Sequence, residues 1–386
     1  MRLSKRIGKL EPQLARKMYT KARQFRDVID LTLGDPDMPT PEHIKRAGCE
    51  SILENDTHYT ANKGTAELLS AISRDLTERL GVNYDPNREI IVTPGAMGAL
   101  YLASVCLVDE GDEALLLAPH WPNYTNMILM CDGKPIDINC YGLKTEDVMR
   151  QLRDACTEHT RILAINSPCN PTGQILASDT LDAIAELAVE KDLIVYSDEV
   201  YSSILFNGRK HDSILLRPGM RERTVFIDSL SKRFSMTGWR VGFAAAPENL
   251  IARMTEMQEH TSACVAPFAQ RAAVEALRNG RSGESEIAQT FERRCKYMAD
   301  RLNRIEGIEC RAAEATFYLF ADIRKTRMSS EAFADGLLEC EQVAVVPGNA
   351  FGRFGEGYIR IACSVREELL EEACERIERF ALRLAN

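Results

Sequence analysis

From residue 90 to residue 246, short apolar runs alternate with stretches of helical periodicity, and this alternation constrains the fold more than anything else in the chain. Strands are predicted at 90–93, 114–118, 134–138, 162–165, 193–197, 224–228 and 241–246, with helices between several of them, such as 96–108 and 178–190. Short, wholly apolar strands separated by helices form a mostly parallel sheet covered on both faces. The link between the strands around Ile227 and Phe243, with Gly238 in it, is too short for a helical crossover, so one antiparallel strand is expected. Beyond Arg281-Ser282-Gly283-Glu284 the pattern changes. A long amphipathic helix at 286–303 leads into strands near 308–311, 317–321 and 358–362, mixed with helices and closed by an amphipathic stretch at 366–384. The first 45 residues have helical, then irregular character and no core of their own, so they should pack on this last unit or on a neighbouring subunit. The expected fold class is α/β. A large domain (46–285) would hold a seven-stranded mostly parallel sheet between helices, and a smaller α+β domain would combine 1–45 with 286–386.

Charge and cysteine usage exclude several functions. A net charge of −9 argues against nucleic acid or an anionic membrane as partner. The longest apolar run, 96–108, is far short of a bilayer span and reads as a buried helix. The start, Met1-Arg2-Leu3-Ser4-Lys5-Arg6, is charged with no apolar stretch behind it. The 12 cysteines contain no Cys-x-x-Cys pair, so no zinc framework or other metal site is expected and they read as reduced thiols of a cytoplasmic protein.

Lys232 stands at the end of a predicted strand among small hydroxyl residues, Ser229, Ser231 and Ser235, with Arg240 shortly after it. A lysine desolvated there has a lowered pKa and an amine able to form a Schiff base. Hydroxyls and a guanidinium nearby suit a phosphate. Together they suggest pyridoxal 5'-phosphate, an aldehyde with a phosphate handle. Other motifs agree. Pro94-Gly95-Ala96-Met97-Gly98 is a glycine turn opening a helix, an anion site. Asn166-Ser167-Pro168-Cys169-Asn170-Pro171-Thr172-Gly173 leaves the sheet as a turn in which Asn170 is a candidate ligand group. In Ser197-Asp198-Glu199-Val200-Tyr201, Asp198 ends a strand where open α/β sheets bind ligands. It could hold a pyridine nitrogen protonated, with Tyr201 donating to a phenolate. Pro119-His120-Trp121-Pro122-Asn123-Tyr124 offers an aromatic face. Arg360, inside the apolar run Tyr358-Ile359-Arg360-Ile361-Ala362, suits a substrate carboxylate.

In this order and spacing, these motifs resemble the class I/II pyridoxal-phosphate aminotransferases of fold type I, most closely the subgroup with bacterial aspartate and aromatic enzymes. Leu33-Gly34-Asp35-Pro36-Asp37, Tyr59 with Gly64, and Val346-Pro347-Gly348 extend the resemblance almost end to end. It implies that Lys232 forms the aldimine and shuttles the proton, that Asp198 pairs with the pyridinium nitrogen, and that Tyr201 and Asn170 bond the phenolic oxygen. Trp121 would stack on the ring. Ser229, Ser231, Arg240 and the backbone of Gly95, Ala96 and Met97 would hold the phosphate, with Tyr59 reaching it from the second subunit of a homodimer. Arg360, beside Gly34, Trp121 and Asn170, would clamp the substrate. The expected reaction moves an amino group from an amino acid to a 2-oxo acid. β-Elimination or a related synthase reaction on the same cofactor is the alternative; a regulatory module would need a DNA-binding domain that 45 residues do not provide. Aspartate-specific relatives carry a basic residue where Met97 stands, so a neutral, apolar or aromatic donor is expected; Arg16 is read as a surface residue, its long side chain being the alternative source of the missing charge.

Overall fold

The computed structural model describes residues 3–385. Strand β1 (Ile29–Asp30) pairs in parallel with β11 (Val343–Ala344), tying the N-terminal segment to the C-terminal third of the chain. Seven strands then build the large sheet: β2 (Ile90–Pro94), β3 (Glu113–Ala118), β4 (Lys134–Asn139), β5 (Thr160–Asn166), β6 (Ile194–Asp198), β7 (Thr224–Ser229) and β8 (Val241–Ala245). Their order is β2-β8-β7-β6-β5-β3-β4, and β8 alone runs antiparallel, to both β2 and β7. The seven strands and the one reversed strand are as the apolar runs predict, with ends displaced by a residue or two. Every residue of β3 and β7 is buried, as a sheet covered on both faces requires.

A second, four-stranded antiparallel sheet has the order β12-β13-β10-β9, with β9 (Glu309–Cys310), β10 (Tyr318–Asp322), β12 (Val346–Pro347) and β13 (Tyr358–Ala362). Met18, Ala22, Ile29 and Leu31 share one apolar core with Phe333, Leu337 and Ile377. This part of the N-terminal segment packs on the chain's own C-terminal part, whereas Arg6 and Lys9 bond Asp132 and Glu11 bonds Asn126 on the large-sheet side. Three strands were not anticipated. β1, β11 and β12 are two residues long and carry no period for a pattern to reveal. The long helix is also longer than expected, Arg281–Leu302, so the stretch read as a boundary opens a helix instead. A tertiary contact overrides its linker-like composition: a Glu284 carboxylate oxygen lies 2.9 Å from Arg233 Nε.

Candidate active site

The carboxyl-terminal ends of the parallel strands open into a cavity of about 730 Å³, the place where open α/β sheets bind ligands. Lys232 sits on a one-turn helix, Leu230–Arg233, directly after β7, capped by the Ser229 hydroxyl, which accepts from the Ser231 N–H. Its amine donates to the Gly34 carbonyl at 2.5 Å. Burial pushes the amine down to about 8, helped by the Arg240 and Arg360 guanidiniums and opposed by Asp35. Arg233, next in sequence, points away from the cavity and donates through both terminal nitrogens to buried Asp75 at 2.8 and 2.7 Å. Arg79 joins Asp75 to Asp228, the residue before Ser229, at 2.8 and 2.9 Å. The turn that presents Lys232 is thus fastened from behind by charges that no local pattern announces.

Asp198 ends β6 and is 3% exposed. One carboxylate oxygen accepts from the Tyr124 hydroxyl at 2.5 Å and the other from the Val200 N–H at 3.3 Å. Burial pushes Asp198 up to about 6, against the pull of these two bonds. Among the described residues no cation lies within ion-pairing distance of it. Tyr124, unassigned by the sequence reading, lies on the helix Asn123–Met130, and its ring meets Trp121 edge-on at 5.6 Å. The three-residue spacing between Trp121 and Tyr124 was the available signal. Tyr201 is buried and its hydroxyl shares a 3.1 Å hydrogen bond with Tyr318, also unforeseen.

The phosphate-type features converge as expected. The helix Gly95–Leu107 starts at the end of β2, and Ala96 and Met97 in its first turn line the cavity, where a helix start leaves N–H groups without intrahelical acceptors. Gly95 has φ of 74°, and a Cβ there would run into the Arg240 guanidinium. A Cβ on Gly242, in β8, would run into the Ala96 nitrogen, so the helix start sits directly on the sheet. Arg240 donates only to backbone carbonyls, Thr237 at 2.9 Å and Pro94 at 3.5 Å. Ser229 and Ser231 line the same end.

On the opposite side Arg360, in β13, is buried, lowered in pKa by that burial, and sandwiched near the Tyr318 and Phe351 rings. It donates to Asn170 Oδ1 at 3.1 Å and to the Thr32 carbonyl, and its Nε has no partner. Asn170 is fixed in turn by its own N–H donating to Asn166 Oδ1 at 2.9 Å. Gly34 approaches so closely that a Cβ would run into the Tyr318 hydroxyl. Trp121 and Asn170 complete this wall.

Tyr59, expected to reach the phosphate of a second subunit, is 90% exposed and does not line the cavity of its own chain. Arg16, read as a surface residue, is exposed but also lines the cavity mouth, over the Tyr19 ring at 5.0 Å. The N-terminal segment is laid there by Glu11, whose N–H donates to Asn126 Oδ1 at 2.8 Å.

A cofactor with a phosphate and a basic ring nitrogen fits what is present: a buried carboxylate without a cation, a guanidinium without an acid, and a helix start with free N–H groups. Among the described residues no cluster of His, Cys, Asp or Glu is placed to hold a metal, and no helix is long and apolar enough to cross a membrane.

Comparison with known proteins gives the same reading from independent information. The family model "Aminotransferase class I and II" matches residues 26–377. An aspartate aminotransferase of Pyrococcus abyssi is 40% identical over 385 residues, 98% of each chain. An aromatic-amino-acid aminotransferase of Thermococcus litoralis is 37% identical over the same shares. The solved aromatic aminotransferase from Pyrococcus horikoshii superposes with a TM-score of 0.88 at 39% identity, covering 94% of this chain and 98% of that one. The chain belongs to the class I and II aminotransferases: it is a pyridoxal-phosphate-dependent transaminase acting on amino and 2-oxo acids.

Proposed function

We propose that Lys232 holds the cofactor covalently through its amine and moves the substrate proton, and that the donor is a neutral amino acid with an apolar or aromatic side chain. One observation carries the reading: a buried amine held near 8, an uncompensated buried carboxylate and two guanidiniums without acidic partners face one cavity. Pyridoxal phosphate, when bound, supplies an electron sink for the charge left when an α-proton is removed.

Asp198 meets the ring nitrogen. Facing a cation, it stays ionised despite its burial, because an opposite charge offsets the desolvation that raises it. Tyr201 and Asn170 would bond the phenolic oxygen, and Trp121 would pack on the ring. Ser229, Ser231, Arg240 and the backbone at Gly95, Ala96 and Met97 take the phosphate. Arg360, with Gly34 and Asn170 beside it, orients the substrate carboxylate. Lys232, its amine lowered to about 8, has an accessible free-base form near physiological pH and can take a proton at Nζ and return it. Met97, Met127 and Met130 give the outer cavity an adaptable apolar wall, which favours apolar and aromatic side chains.

The exposed Tyr59 reads as a contact for a second copy of the chain, whose phosphate end it would complete in a cytoplasmic homodimer. The unit of the large sheet and the unit joining the N-terminal segment to the C-terminal part would meet along the helix Arg281–Leu302, which the expected limit at 285 cuts. The relatives are named for amino transfer, and nothing supports the elimination alternative.

The test is Lys232→Ala beside wild type. Borohydride reduction and peptide mapping should place the cofactor on Lys232 alone, and the variant should lose both the adduct and turnover of phenylalanine with 2-oxoglutarate. An adduct on another lysine overturns the assignment. Release of ammonia in place of amino transfer overturns the reaction, and a fully active monomer in sedimentation overturns the dimer.

A further inference from the structure

His120, next to Trp121, has no part in the proposed function, yet it is 3% exposed and both of its ring nitrogens are engaged. Nδ1 lies 3.0 Å from the Trp121 carbonyl oxygen, and Nε2 lies 3.0 Å from a carboxylate oxygen of Asp137. β4, which carries Asp137, pairs in parallel with β3, and the chain leaves β3 directly into Pro119 and His120, so the two side chains meet across neighbouring strands. Among the described residues His120 is the only ion-pair partner of Asp137. A carbonyl and a carboxylate only accept, so both contacts are hydrogen bonds only when each ring nitrogen carries a proton. The backbone N–H of His120 is engaged too, donating to the Phe351 carbonyl at 3.2 Å. The Trp121 carbonyl accepts a second bond, from the Tyr124 N–H at 3.2 Å.

We infer that His120 is a positioning residue: as an imidazolium clamped between Asp137 and the Trp121 carbonyl, it holds Trp121 and the start of the helix Asn123–Met130 where the cofactor ring is received. This rests on the place given to Trp121 in the proposed function. A neutral imidazole has one N–H and must give up one of its two acceptors. The bond to the carboxylate is charge-assisted and the stronger of the two, so the Trp121 carbonyl is the one released. Trp121 is then held from behind by a single backbone bond. A second cavity, of about 630 Å³, opens beside the clamp, and the Asp137 side chain is 20% exposed, so the pair can exchange its proton with solvent. Glu11 of the N-terminal segment and Arg353 line this cavity with Asp137, and Arg353 donates to the Asp137 backbone carbonyl at 3.4 Å. Tyr124 faces the imidazole from the helix that follows, 5.9 Å away between ring centroids. Gly352 leaves room for the pair, since a Cβ there would run into the Asp137 carboxylate.

The chain has two tryptophans and six histidines, so Trp121 and His120 can each be read singly. In cofactor-free protein carrying Trp239→Phe, nitrogen NMR of labelled histidine rings, with His120→Gln identifying the signal, should show both His120 nitrogens protonated at about pH 6. As the pH rises, loss of one of those protons and a change in Trp121 emission should share one midpoint. Asp137→Asn should move both to lower pH, because the imidazolium loses its counter-charge. The titration of the unaltered clamp decides the matter even where a clamp variant fails to fold. In the holoenzyme, His120→Gln and Asp137→Asn should each reduce the quenching of Trp121 by bound cofactor. Each should also weaken cofactor binding about fivefold or more in equilibrium dialysis. A bare nitrogen on His120 at about pH 6, Trp121 emission that does not follow its titration, or unchanged quenching in both variants overturns the clamp. Absence of any quenching of Trp121 by cofactor with the clamp intact would instead overturn the place given to Trp121 in the proposed function.

Discussion

Asp198→Asn should make the cofactor-free protein more stable. Burial raises the Asp198 carboxyl from 3.8 to about 6, so the folded chain binds this proton more tightly than the unfolded one. The sign follows: apoprotein stability is reduced as pH rises from about 4 through 6 and stays reduced above. A rise of about two units corresponds to roughly 3 kcal/mol of destabilisation at neutral and higher pH. The side chain is almost wholly buried, so solvent screening does not discount this figure. Asparagine is close in shape, does not titrate, and can still accept from the Tyr124 hydroxyl. The advantage of Asp198→Asn in equilibrium urea unfolding should therefore be near zero at about pH 4 and approach ~3 kcal/mol at about pH 8. In the holoenzyme the order should reverse, because the ionised carboxylate then faces a cation. An apoprotein difference that ignores pH, or a variant less stable than wild type at high pH, would refute the claim that this carboxylate is uncompensated in the free chain.

Two more perturbations probe the support behind the site. Asp75 is held down to about 2, burial pushing it up and Arg233 and Arg79 more than offsetting that, so Asp75→Asn should cost about 2–3 kcal/mol in urea unfolding by taking the shared acid from two guanidiniums that keep only Glu284 and Asp228 as acids; a cost below about 1 kcal/mol would mean the network is dispensable. Gly242→Ala should displace the first turn of the helix Gly95–Leu107 and weaken cofactor binding about tenfold or more, measured by equilibrium dialysis. Unchanged affinity would show that the helix start does not hold the phosphate.

The large sheet was legible because its strands are apolar on both faces and long enough to stand out between helices, and because the short link through Gly238 left only an antiparallel solution. Lys232, Asp198, Asn170 and Arg360 were legible through their motifs, and they face one cavity although Asn170 and Arg360 are 190 residues apart. Tyr124 was visible as a residue but not as the donor to Asp198, since that bond spans 74 positions. The Arg233–Asp75 pair spans 158 positions and joins a helix face to the lysine turn. Neither end of such a pair carries a local signal, because its meaning arises only when the sheet brings both together. Arg16 is exposed, as its reading as a surface residue expects, and it also lines the cavity; exposure and cavity lining coexist at a rim, and one dimension cannot separate them.

If Arg360 takes the substrate α-carboxylate as proposed, its seat has a consequence for which amines the enzyme would refuse. Its guanidinium is occupied by two neutral oxygens, of Asn170 and Thr32, while its Nε–H goes unmet. An entering α-carboxylate exchanges neutral acceptors for charge-assisted ones, which are roughly twice as strong. A decarboxylated amine of the same side chain cannot make that exchange and leaves the orphan donor as it was. Rejection of biogenic-type amines would then come from this unclaimed hydrogen-bonding capacity and not from any steric gate. On the proposed role of Arg360, that discrimination would be set in the resting protein, before any ligand arrives.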